Sequence, residues 1–217
     1  MYASCGIILK EAIDMKLVKI TQLTNEKYLN MFLVEYEDKG ETIKWTFSSR
    51  NSLDELICKT GERKIDTVCI IPRIIIDGKE CVVLTKEFRQ PINDYIYSFP
   101  AGLVEAGEDP ITCCARELKE EIGADEIDEV HALTDVCYNS EGMTDESVII
   151  YEVLVTKLGK QDLQDHEDIS TFFVPIEKLN DFLKGKRVST KAGIYCPMLV
   201  REHKLRQDLK NKKNTRK

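Results

Sequence analysis

No two of the eight cysteines stand at C-x-x-C spacing, so the chain carries neither a zinc ribbon nor a thioredoxin-type motif. No apolar run approaches the roughly 20 residues that a membrane-spanning helix needs. A short apolar stretch, Cys5 to Leu9, is broken by Lys10 and Glu11 and follows no basic segment, which argues against a secretory leader. Positive charge is in deficit too: 31 Lys and Arg against 38 Asp and Glu give a net charge of -7. A general nucleic-acid binder needs the opposite balance to hold phosphate backbones, so none is expected here. Internal repeats and low-complexity tracts are also missing. These absences point to a soluble, cytoplasmic protein with no nucleic acid and no membrane as partner.

A small anionic substrate stays open to such a chain if local cationic groups hold it, and clustered carboxylates suit a divalent metal. The 217 residues suffice for one domain with a substantial core, or for a core domain with a small accessory piece. Several cysteines sit inside apolar runs, as Cys69 does in Thr67-Val68-Cys69-Ile70-Ile71. They read as buried reduced thiols, and adjacent Cys113 and Cys114 read as helix packing residues.

Three β-rich stretches open the chain: Lys16 to Thr24, Tyr28 to Tyr36 and Thr42 to Arg50, with Ile43, Trp45 and Phe47 alternating in the last. Asn25-Glu26 and Asp38-Lys39-Gly40 supply the turns. Three short strands cannot enclose a core, so the main domain or a second copy of the chain must cover one face. The polar stretch 51–64 is the junction, dividing the chain into a piece at 1–60 and a domain at 61–217. Val68 to Ile76 and Cys81 to Lys86 form a hairpin about Asp77-Gly78. Tyr95 to Phe99 is a short strand, and Pro100-Ala101-Gly102 opens a loop. A helix follows, capped by Asp109, with Pro110 in its first turn and Gly123 at its end. Its expected buried face is Ile111, Cys114, Ala115, Leu118 and Ile122. Strands near 130–138 and 147–156, a strand Ser170 to Val174 and helices at Ile176 to Leu183 and 195–211 complete the order. That order suggests an α+β chain with α/β/α layering.

Glu117, Glu120 and Glu121 stand at i, i+3 and i+4, on one helix face. Such a face is either solvated or holds a divalent cation, which relieves the mutual repulsion through hard oxygen ligands. The wider stretch carries more information. Gly102, then Glu108, then Arg116-Glu117-Leu118-Lys119-Glu120-Glu121-Ile122-Gly123 resembles the Nudix box, departing only at a final aliphatic position, here Ala124. Seven fixed letters at about 6% each give a chance match on the order of 10⁻⁹ per starting point. The resemblance implies a Nudix α/β/α sandwich with a small N-terminal β-sheet domain. It implies that Glu117, Glu120 and Glu121, with the Ala101 carbonyl, hold Mg²⁺ or Mn²⁺. It also implies that Arg116 pairs with Glu108, and that Gly102 lets the backbone pass close to the metal.

Lys86 to Gly102 is similar to the segment before the box in ADP-ribose pyrophosphatases. This implies that Arg89 meets the substrate's diphosphate, where a planar guanidinium suits paired phosphate oxygens. Trp45 and Arg50 match positions of that subfamily where a ring stacks on adenine and an Arg assists. As a bare residue, Trp45 reads equally as core. Ser140-Glu141-Gly142-Met143-Thr144-Asp145-Glu146 resembles a subfamily loop that carries a proline where this chain has Glu141. Gln164 to Ile169 resembles the loop that supplies a late catalytic carboxylate, Glu167 here with Asp165 as the alternative.

The implied activity is metal-dependent hydrolysis of the diphosphate of ADP-ribose or a related ADP-sugar, giving AMP and a sugar phosphate. Glu120, Glu121 and Glu167 are the catalytic candidates. The subfamily also implies a homodimer whose N-terminal strands exchange between chains. Rival readings are a GDP-mannose or other nucleotide-sugar pyrophosphatase, and a non-catalytic ADP-ribose sensor, which the intact glutamate set argues against. The tail from Arg201 to Lys217 has eight basic and two acidic residues and reads as a solvated helix end.

Overall fold

The computed structural model describes residues 15–164 and 168–214. Cys5, Asp165 and Glu167 lie outside them. The chain forms two compact units, one of residues up to Lys64 together with Tyr138–Glu146, the other of Ile65–Cys137 and Ser147–Lys217.

The first unit is built on an antiparallel sheet of β1 (Lys16–Gln22), β2 (Asn30–Asp38) and β3 (Glu41–Ser49), in that order. Lys39 and Gly40 both have positive φ, 51° and 85°, as a two-residue hairpin turn requires for the strand twist. The register sets Phe32 opposite Phe47, Val34 opposite Trp45 and Tyr36 opposite Ile43, so one face of the hairpin is apolar throughout. A single helical turn, α1 (Ile57–Thr60), ends on Gly61. The loop Tyr138–Glu146 belongs to this unit although some 75 residues separate it from the rest.

The second unit contains β4 (Thr67–Ile76), β5 (Lys79–Arg89), β6 (Asp94–Ser98), β7 (Ala101–Leu103), α2 (Pro110–Ile122), β8 (Ala124–Ala132), the first residue of β9 (Cys137–Tyr138), β10 (Ser147–Leu158), β11 (Ile169–Pro175), α3 (Leu179–Leu183) and α4 (Thr190–Asn214). The main sheet runs β11-β5-β4-β10-β8, with β6 on β5 and β7 on β4. Only β10 and β4 pair in parallel among the described registers. Asp66 and Ser147 clamp the start of that pair: the Ser147 amide and hydroxyl both donate to Asp66 Oδ2, at 2.8 and 2.9 Å. The β4–β5 turn uses Asp77 and Gly78 at φ 49° and 73°, as the sequence expects.

Alternation along the strands splits the apolar residues between two cores. Val68, Ile70 and Ile74 face Cys113, Cys114, Leu118 and Ile122 of α2. Cys69 and Ile71 face Leu179, Ala192, Cys196, Leu199 and Val200 of α3 and α4. The result is an α/β/α sandwich. Several expected segments differ, and the helix expected at 195–211 begins at Thr190. Residues 101–103 form a strand rather than a loop, because their backbone completes the edge of β4. The strand expected near 130–138 begins at Ala124, directly after the helix cap, because its pairing with β10 sets its bounds.

Leu118 is fully buried in the α2-side core. Leu118→Ala should lower the unfolding free energy by about 2–5 kcal/mol, through lost transfer energy and the cavity left behind. Urea titration reads this as a fall in midpoint at unchanged slope. A loss below about 1 kcal/mol would place Leu118 outside the packing that seats α2.

Candidate active site

The chemistry-bearing helix is specified locally at both ends. The Asp109 carboxylate accepts the amides of Ile111 at 3.0 Å and Thr112 at 3.1 Å. Hydrogen bonds from Thr112 hold that carboxyl below the usual range. At the far end Gly123 adopts φ 71°, and a side chain there would meet the Lys160 backbone at 2.8 Å. Only glycine suits both conditions.

The buried face of α2 differs from the expected one. Ile111 is 51% exposed and Ala115 is exposed, whereas Cys113, Glu117 and Glu121 are buried beside Cys114, Leu118 and Ile122. The helix is turned by roughly 60° about its axis relative to an apolar-only stripe. Two carboxylates therefore lie within the protein, Glu117 at 8% and Glu121 at 7% exposure. Hydrophobic periodicity cannot anticipate that, since it assigns charge to solvent.

Arg116 answers for much of the charge. Its Nε and Nη2 donate to the two Glu108 oxygens, each at 2.9 Å. Nη1 reaches Glu117 Oε1 at 2.7 Å and Glu120 Oε2 at 3.5 Å. Nη2 also meets the Leu103 carbonyl at 3.0 Å. One planar guanidinium thus ties α2 to β7 and to the loop between them. The same ion pair holds the Glu108 carboxyl down at about 2, mainly through the Arg116 hydrogen bonds. It raises Arg116 in turn.

Gly102 lies where α2 comes nearest to β7. A Cβ at this position would overlap the Glu117 carboxylate. The absent side chain is the seat of that carboxylate. Glu117, Glu120 and Glu121 offer oxygen donors only, the chemistry of a hard divalent cation. No ready-made cage of three His, Cys, Asp or Glu side chains exists among the described residues. Glu117 is turned to Arg116 here, so sharing a cation with Glu120 and Glu121 requires its carboxylate to rotate away from that partner. The donor set fits Mg²⁺ or Mn²⁺ in kind, with Gly102 leaving the space for that rotation.

The C-terminal turn of α2 is held from outside. Asp162 N donates to the Glu120 carbonyl at 3.0 Å. Thr171 Oγ1, at 3.1 Å, and Gln161 Nε2 both donate to the Glu121 carbonyl. Gln164 Nε2 approaches Glu120 Oε2 at 3.4 Å. Sequence reasoning missed Gln161 and Thr171, and no motif marks them: each is an ordinary polar residue until the fold brings it to a helix end that needs donors, while Gln164 opens the Gln164 to Ile169 segment without a role of its own there.

The remaining candidates divide between the units. Ala101, Arg89 and the glutamates belong to the second. Ala101 pairs with Cys69 across β4–β7 and adjoins the Gly102 seat. Arg89 is the last residue of β5, half exposed, with its Nη2 2.7 Å from Glu87 Oε2. In the first unit, Trp45 Nε1 donates to the Gly142 carbonyl at 3.0 Å, and Arg50 Nε meets Glu146 Oε2 at 3.1 Å. Ser48 N bonds the Met143 carbonyl at 2.8 Å. Loop 138–146 thereby joins β3 around an apolar cavity of about 520 Å³, lined by Val34, Tyr36, Ile43, Trp45, Phe47 and Glu141 among others. Trp45 is 54% exposed, so it is not a core residue of this unit.

Glu108 has a depressed pKa, so its contribution to stability is present above the unfolded carboxylate value near 4.5 and disappears as pH falls toward about 2. Wild-type protein should lose stability through that window, and Glu108→Gln should show a flatter profile from a lower plateau. Urea unfolding at a series of pH values checks this. Identical slopes for both proteins would mean that the Arg116 pair is not what acid breaks.

The NUDIX domain profile matches residues 66–195 of this chain. An uncharacterized Nudix hydrolase of Schizosaccharomyces pombe is 29% identical over 177 residues, covering 77% of this chain and 82% of that one. The ADP-ribose pyrophosphatase of Saccharomyces cerevisiae is 33% identical over 180 residues, covering 77% and 74%. Among solved structures, an ADP compounds hydrolase superposes with a TM-score of 0.62 at 18% identity, covering 89% of this chain and 95% of that one, which bears on the fold alone. The profile spans more than half the chain and includes Gly102, Glu108, Arg116 and the three glutamates: the protein belongs to the Nudix family.

Proposed function

We propose that the chain hydrolyses the diphosphate of ADP-ribose or a related ADP-sugar, with a divalent cation, to AMP and a sugar phosphate. The observation that carries this reading is the packing of the buried Glu117 carboxylate against Gly102, beside Glu120 and Glu121 on one helix face. The yeast relative named as an ADP-ribose pyrophosphatase supports the substrate class. Glu117, Glu120, Glu121 and the Ala101 carbonyl would hold Mg²⁺ or Mn²⁺. Such an ion neutralises the diphosphate and lowers the pKa of a water nucleophile.

The chain's own groups do the rest. Arg116, fixed by Glu108, ties α2 to the loop before it and to β7, and so holds the helix face that carries the three carboxylates. Arg89 exchanges Glu87 for the diphosphate, stabilising charge that grows toward the transition state. Glu120 or Glu121, or Glu167 in the segment beyond the described residues, accepts the proton of the attacking water. Trp45 stacks on adenine, and Arg50 assists at the rim. The exposed apolar side chains of Ile43 and Trp45, beside half-buried Phe47, favour a homodimer in which the N-terminal strands exchange and complete the base pocket. Reduced cysteines, buried at Cys69, Cys81, Cys113, Cys114 and Cys196, suit the cytoplasm.

Glu120→Gln and Glu121→Gln should each lower kcat by at least about 100-fold with the fold intact, as loss of a ligand to the catalytic cation requires. The assay is AMP release from ADP-ribose with Mg²⁺, read beside circular dichroism. Full turnover in excess EDTA would overturn the metal-dependent mechanism.

Trp45→Ala should raise KM about tenfold with a smaller change in kcat, the loss of roughly 1–3 kcal/mol of base stacking. Inhibition by AMP should weaken while inhibition by ribose 5-phosphate stays. A panel in which GDP-mannose is cleaved far better than ADP-ribose, with KM unmoved in Trp45→Ala, would replace the adenine assignment with a different nucleotide sugar.

A further inference from the structure

Helix α4 has two apolar faces. Ala192, Cys196, Leu199 and Val200 are buried against the sheet. Ile194, Met198, Leu205 and Leu209 are 60%, 60%, 54% and 60% exposed. At 3.6 residues per turn these four fall within about 60° of one another, on the side opposite the buried face, and span roughly 22 Å of axis. Scattered exposed leucines need no explanation, but four in one helical line form a seam. The helix also outruns its support, since every residue from Lys204 to Lys212 is exposed. A helical end with no packed face gains little beyond intrinsic propensity.

The spacing of the seam is symmetric. Its gaps of four, seven and four residues read the same in both directions about a centre between Arg201 and Glu202. An antiparallel two-fold pairing of two such helices sets Ile194 against Leu209 of the second copy and Met198 against Leu205. It sets Arg201 against Glu202 twice at the centre, so opposite charges meet where the two-fold passes.

We infer that the exposed face of α4 is a self-association surface, occupied by α4 of a second copy in antiparallel register about Arg201 and Glu202. This surface is separate from the N-terminal strands proposed above to exchange, so either can fail without the other. Four apolar side chains per copy make a small interface, at the weak end of specific protein contacts. Association through it is therefore concentration-dependent: it pairs single chains, and each dimer that the N-terminal strands make presents two such faces.

Sedimentation equilibrium of the full chain from about 1 to about 100 µM brackets a contact of this size. The wild type should show a rising mass. Met198→Glu with Leu205→Glu should hold the mass at its dilute value across the range, with circular dichroism and ADP-ribose hydrolysis unchanged. Arg201→Glu alone should weaken association about tenfold by opposing two acids at the two-fold, and Arg201→Glu with Glu202→Arg should restore it. A mass that is the same for all four proteins overturns the inference, as does failure of the double exchange to restore what the single one removes. Flotation with phosphatidylserine vesicles supplies the other arm. If the seam variants abolish vesicle binding and leave the mass untouched, the occupant is an anionic lipid surface and the self-association is wrong.

Discussion

The Arg116 guanidinium is the point on which the candidate site depends. A carboxylate carried into a protein must find a partner or give up its charge, and here Glu108, Glu117 and Glu120 converge on one side chain. A lysine has three rotatable donors and one point of charge. It could not hold both Glu108 oxygens, reach Glu117 and still meet the Leu103 carbonyl. The flat fork of five donors does all of this without moving, and so the strand before the helix, the loop and the helix become one rigid piece. The acid-sensitive strength of the Glu108 pair and the packing of Glu117 against Gly102 are consequences of the same arrangement.

That piece is in turn placed by the sheet. Successive residues of β4 point to opposite sides, so a single strand anchors α2 through Val68 and Ile70 and the α3–α4 layer through Cys69 and Ile71. The parallel pairing of β10 with β4, closed at its start by Asp66 and Ser147, aligns the strands that bear both cores. The C-terminal turn of α2 then finds its missing donors in Gln161, Asp162 and Thr171. The glutamates are held from both ends, which keeps the geometry of that helix face fixed. In the first unit a parallel logic holds Trp45: its indole donates to the Gly142 carbonyl and helps line an apolar cavity.

Helix α2 shows how far local signals reach. Asp109, Pro110 and Gly123 specify its ends through hydrogen bonds and backbone angles that involve neighbours in sequence, and its observed bounds follow them. The same holds for the turns at Lys39-Gly40 and Asp77-Gly78, where positive φ is demanded by strand twist. The Gly102 to Gly123 pattern marks the family because seven residue types at fixed spacing do not recur by chance.

What the linear pattern could not supply was decided at long range. Periodicity turned α2 toward Ile111 and Ala115, but Arg116 makes it favourable to bury Glu117 instead, and that compensation is invisible until Glu108 and Leu103 are brought to the guanidinium. Residues 101–103 read as loop because Pro100 and Gly102 are strand breakers, yet pairing with the edge of β4 outweighs propensity. Loop 138–146 joins strands at 30–49 across some 95 residues of sequence, which no local signal encodes. The sequence by itself determined the family, the helix that carries the glutamates and the turns that bound its strands, because caps and turns act between neighbours. Tertiary structure alone decided which face of that helix is buried and which distant donors hold it, because those are balances of charge and packing between segments that meet only in the fold.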